Sequence, residues 1–84
     1  MRTILSAIAV LAFIATPALA DRPVIDAERV KLVAAIASVG CSGGKLEWDE
    51  GDKEFEVDDA ICDGRKYDLK FNADYSLKSK KQDD

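Results

Sequence analysis

The sequence predicts an α+β domain in which an N-terminal helix packs on one face of a four-stranded antiparallel meander sheet. Three observations predict it. Residues 27–39 carry apolar side chains at helical spacing, residues 45–80 change to alternate-residue spacing, and Gly-Asp and Asp-Gly pairs punctuate the alternating stretch. A helix with one apolar stripe and a sheet with one apolar face bury each other in two layers, leaving the other sheet face charged and wet.

Residues 1–20 are read separately from this domain. Arg2 precedes an apolar run from Ile4 to about Thr16 that ends in Ala18, Leu19 and Ala20, the pattern of a secretory signal peptide. The run is shorter than the roughly 18 apolar residues of a membrane span and is followed at once by Asp21 and Arg22. The expected product is a periplasmic or secreted protein starting at Asp21, with no membrane span after signal removal. Residues 21–84 then form a single domain of 64 residues, small enough to need a covalent staple. Without Arg2 the chain has 11 basic and 16 acidic side chains, so its formal charge moves from −4 to −5 and nucleic acid is disfavoured as a partner.

The helix is expected from Ala27 to about Val39. Asp26 is placed as its N-cap, Ile25 and Val30 as a hydrophobic staple, and Glu28 where the helix dipole favours an acid. Leu32, Val33, Ile36 and Val39 make the apolar face, and Gly40 ends the helix. After the connector Cys41–Gly44, Leu46 and Trp48 point inward from the first strand and Phe55 and Val57 from the second. Gly51 and Asp52 are the expected two-residue turn between them. Opposed residues of a hairpin have a constant index sum, and Leu46 with Val57, Trp48 with Phe55 and Cys41 with Cys62 all sum to 103. Two Cys in a small exported chain fit one disulfide, and this symmetry places Cys41 across from Cys62.

Asp63 and Gly64 form the next turn and lead into a third strand with Tyr67, Leu69 and Phe71 inward. A strict turn there would set these inward residues against outward residues of the second strand. A β-bulge at Asp58 and Asp59 repairs the mismatch, with a longer, irregular turn around residues 61–65 as the alternative. Asn72, Ala73 and Asp74 then turn the chain into a fourth strand, setting Phe71 against Tyr75 and Leu69 against Leu77.

The stretch Gly40-Cys41-Ser42-Gly43-Gly44, the run Glu54-Phe55-Glu56-Val57, the Cys62-Asp63-Gly64 turn and the Tyr67-Asp68-Leu69 strand resemble a small stand-alone PepSY domain of bacterial envelope proteins. The likeness covers nearly all of residues 21–84. It implies a helix over an antiparallel sheet, export, and a role in restraining peptidases, since the family occurs in the propeptides of thermolysin-like peptidases. This chain carries no peptidase of its own, so such a role would act on a separate protein, a peptidase or another envelope protein. The family brings no catalytic residues.

The residues themselves speak against an enzyme. The chain has no His, so a Ser or Cys nucleophile lacks its ordinary general base, and nothing calls for a cofactor. From Glu47 to Asp63 there are nine acids and only Lys53, whereas Arg65 to Lys81 holds six bases against Asp68 and Asp74. This two-sided charge pattern suits a binding module, which is expected to be a monomer. Glu47 and Glu54 on the acidic half, and Lys78 and Lys80 on the unpaired edge strand, are the candidate contacts. Weak divalent-cation binding is the competing function, with Asp58, Asp59 and Asp63 as candidate ligands and the turn acids Asp49, Glu50 and Asp52 as a second set. Neither run has the order of an EF-hand loop. Trp48, inward and opposite Phe55, reads as core.

Overall fold

The computed structural model describes residues 21–83, and the expected signal peptide lies outside them. Seven elements follow in order: β1 (Asp21–Pro23), α1 (Asp26–Ser38), β2 (Cys41–Ser42), β3 (Lys45–Asp49), β4 (Glu54–Cys62), β5 (Arg65–Asn72) and β6 (Leu77–Gln82). The strands make one antiparallel sheet in the order β1-β3-β4-β5-β6, and β2 pairs with the end of β4 that β3 leaves free. The expected fold class is therefore corrected. The sheet has six strands instead of four, and the helix follows a strand instead of opening the domain. The two added strands have three and two residues, too few to show a period of two.

The helix starts without a side-chain cap of its own. Ile25 is the N-cap residue, and Asp26 lies in the first turn, where the helix dipole favours its charge. The carboxylate of Glu28 does the capping from inside the helix, with Oε1 accepting from the Ile25 amide at 3.0 Å. Both terminal guanidinium nitrogens of Arg22 donate to the same carboxylate at 3.0 Å, which ties β1 to the start of α1. The expected staple does not form, because Ile25 and Val30 are both exposed. Val33 is exposed as well, so the stripe that meets the sheet is narrower than predicted: Leu32 and Ile36 are buried, with Ala35 and Val39 beside them. Gly40, at φ 80°, donates its amide to Ala37 O at 3.0 Å and closes the last turn.

The register of β3 on β4 is the predicted one, Leu46 facing Val57 and Trp48 facing Phe55. Its turn is longer than expected. Residues 50–53 all lie outside the strands, Lys53 is left-handed at φ 54°, and Asp49 Oδ1 accepts from the amides of Gly51 and Asp52. A two-residue and a four-residue loop centred on the same point have the same index sum, which is why pairing was legible and turn type was not. The register of β4 on β5 shifts between Val57 and Ala60, where the bulge was expected. Asp59 there has φ 60°, and its amide donates to Asp68 Oδ1 at 3.2 Å. Asp63 and Gly64, both at positive φ, make the tight turn into β5.

The prediction fails after β5. Tyr75 does not face Phe71 across a ladder; it is left-handed at φ 71° in the turn, where its amide donates to Asn72 O at 2.8 Å. Its ring stacks on Phe55 with centroids 4.9 Å apart. Leu77 faces Phe71 instead, and a second irregularity sets Leu69 opposite Lys80. The turn is held by Asp74, whose Oδ1 accepts from the amide and hydroxyl of Ser76.

The core lies between α1 and one face of the sheet. Leu32 and Ile36 pack over Leu46, Phe55, Val57, Ala60, Leu69 and Phe71, with Trp48 edge-on to Phe55 at 4.6 Å. A disulfide joins Cys41 to Cys62, as the index sum predicts, and Cys62 is buried. Beside it the chain passes close to β4 at Gly44, where a Cβ would lie 2.7 Å from Val57 Cγ1 and 2.9 Å from Asp58 O.

Candidate binding surface

Alternation directs every second residue of β3, β4 and β5 away from the helix. Glu47 and Asp49 on β3, Glu54, Glu56 and Asp58 on β4, and Asp68 and Lys70 on β5 share this outer face. The register sets Glu56 directly opposite Glu47 on one side and Lys70 on the other. The short strand β1 adds Asp21. Carboxylate oxygens of Asp21, Glu47 and Glu56 lie within 4.8 Å of one another, as do those of Asp49, Glu54 and Glu56. Burial, followed by a hydrogen bond to Asp21 and repulsion from Asp21 and Asp49, pushes the Glu56 carboxyl up to about 7. The cluster thus holds a proton near neutral pH.

The four expected contact residues do not behave alike. Glu54, expected on an open face, is only 2% exposed, because two lysines lie over it. Lys78 Nζ donates to Oε1 at 2.6 Å and Lys70 Nζ lies 3.4 Å from Oε2. The Lys78 hydrogen bond is the chief reason that this carboxyl sits below its usual range. Glu54 and Lys78 are therefore engaged with each other. Glu47 is half-buried, with Lys45 Nζ 3.5 Å from its Oε2. Lys80 is exposed, and its ammonium lies 5.1 Å from the Tyr67 ring centroid.

The three acids expected as cation ligands are spread out. Asp58 is on the outer face, where partial burial, followed by repulsion from Asp68, Glu47 and Asp59, raises its pKa. Asp59 groups with Asp68 and Asp83 instead, and Asp63 belongs to the turn beyond Cys62. The participation of Asp21 had no sequence signal, since it depends on the pairing of a three-residue strand. Glu50 of the second set bonds the Trp48 Nε1 hydrogen at 2.8 Å and pairs with Lys53.

The surface of the described residues includes two openings. A shallow groove of about 310 Å³ on the outer face is lined by Glu56, Asp58, Asp68, Lys70, Ser79 and Lys81. An apolar one of about 220 Å³ lies between α1 and the β2–β3 connector, lined by Val33, Ile36, Cys41, Gly44 and Leu46 among others. Among the described residues, β6 at the sheet edge pairs with β5 alone, and all six of its residues are exposed. No helix among the described residues is long and apolar enough to cross a membrane. No family model, curated protein or solved structure matches the chain.

Proposed function

We propose that this chain is an exported, non-catalytic, monomeric binding module of the PepSY kind that acts on a peptidase or another envelope protein and needs no cofactor. The observation that carries the reading is the open side of the sheet. One face is closed by α1, whereas the outer face and the β6 edge present charge and unpaired backbone to solvent. The chemistry agrees. The chain has no His and its two Cys are joined to each other, so neither an ordinary general base nor a free thiol is offered. The disulfide fits an oxidising compartment, in keeping with a periplasmic or secreted location. The peptidase as partner comes from the family resemblance alone.

Cation binding is the weaker reading. Lys70 and Lys78 already neutralise Glu54, and Asp58, Asp59 and Asp63 do not converge. The test is recovery of exported proteins on the immobilised domain at low salt, followed by inhibition assays on each peptidase recovered. Specific capture of an envelope protein, weakened by salt, is the expected result. Recovery of no partner, with every tested envelope peptidase unaffected, overturns the proposal.

A further inference from the structure

We infer that the β6 edge takes an extended, acidic polypeptide segment as an additional antiparallel strand. This rests on the binding-module reading and names the kind of partner. The phase of the edge follows from one hydrogen bond: the Asp83 amide donates to Lys66 O at 2.9 Å. Backbone groups alternate sides along an antiparallel strand, so Lys81 and Ser79 bond to β5, while Gln82 and Lys80 aim their N–H and C=O groups away from the sheet. These are unpaired strand groups that an incoming chain can satisfy. The opposite edge offers less, because β1 is three residues long and includes Pro23, which has no N–H.

Charge selects the occupant. Lys81 and Ser79 line the outer groove, and Lys78 reaches Glu54 on that same face, while Lys80 turns to the helix side over Tyr67. With Lys78 already paired to Glu54, an added strand meets Lys81 on one face and Lys80 on the other, and acids in either of its alternating sets fit. Asp68, opposite Lys81, and Glu56 and Asp58 farther along the groove offset part of this charge, and Asp83 bounds its far end. The exposed Leu77 at the near end suits one apolar residue. A second copy of this chain is the wrong occupant, since antiparallel pairing of two β6 edges would oppose lysines to lysines.

The experiment titrates the exported domain with a capped synthetic peptide of about eight residues alternating Glu with Thr or Val, a typical strand length. The comparison peptide carries Lys in place of Glu, and binding is followed by NMR shifts of the β5 and β6 amides. The acidic peptide should bind at least about tenfold more tightly at low salt, with shifts confined to β6 and its neighbours. Lys80→Pro removes an outward donor and leaves the β5 ladder intact, so it should abolish binding, whereas Lys80→Ala should weaken it only about two- to fivefold. Should Lys80→Pro not fold, N-methylation of alternate peptide amides tests the same bonds from the other side and should also abolish binding. Equal affinity for the two peptides, or binding that survives backbone blocking on either side, overturns the inference. A captured envelope protein that binds Lys80→Pro and Lys80→Ala equally also overturns it while leaving the binding-module reading in place.

Discussion

At Glu56 three carboxylates from three different strands meet, and the outcome is a titration near neutrality. Its carboxyl ordinarily titrates at 4.5 and is raised to about 7 in the fold, so the folded chain holds the proton more tightly than the unfolded one. The stabilisation is complete below about 4.5 and is lost as pH rises to about 7. Glu28, Glu54 and Asp74 are shifted the other way, by Arg22, Lys78 and Ser76 respectively, and their contributions are lost in acid as pH falls through their lowered values. Stability should therefore peak at mildly acidic pH. Glu56→Gln, which keeps a donor for Asp21, should reduce the decline above the peak, leaving the part that Asp58 contributes, and gain on the order of 1–2 kcal/mol above pH about 7 after allowance for solvent screening. Urea denaturation across pH checks it, and an unchanged pH profile would remove Glu56 from the account. At Gly44 the constraint is steric. Its φ of +96° and the 2.7 Å approach of a Cβ to Val57 predict that Gly44→Ala costs about 2 kcal/mol or more, read from the shift in urea midpoint.

Among the elements, legibility followed length and symmetry. The helix shows through Leu32 and Ile36, yet Val33, on the same predicted stripe, is exposed, because periodicity marks an apolar stripe without saying how much of it the sheet is wide enough to cover. Strands β3, β4 and β5 and the bulge showed because inward residues must face inward residues, which leaves one consistent alignment. No such constraint acts on β6, whose residues are all exposed, so Lys80 and Leu77 could not be placed from the pattern. Tyr75 misled for the same reason: a turn residue that folds its ring back onto Phe55 looks in sequence like the first inward residue of a strand. Of the candidate surface, the lysine edge and acidic strands were visible as charge, but the burial of Glu54 was not. It arises from Lys70 on β5 and Lys78 on β6, which converge only after both strands are in place. Lys78→Ala should therefore cost more than an ordinary surface lysine, about 1–2 kcal/mol, by uncovering a carboxylate that is otherwise paired. A change in stability no larger than that of Lys66→Ala would count against that role.

For the molecule as a whole, one covalent bond and one narrow core share the stabilisation of a small domain. Reduction of Cys41–Cys62 releases a link across 21 residues and should lower stability by roughly 3 kcal/mol, measured by denaturant unfolding with and without reductant. The same bond also bears on register. Cys41 and Cys62 oppose each other at the index sum that also aligns Leu46 with Val57. A slip by one residue would bring Cys41 against Ile61, whose exposed side chain points to the opposite face. Alignment of β3 on β4 therefore brings the two thiols into reach of each other, and a slipped register does not. The closed bond in turn excludes the slipped pairings, so the covalent link and the hairpin register specify each other.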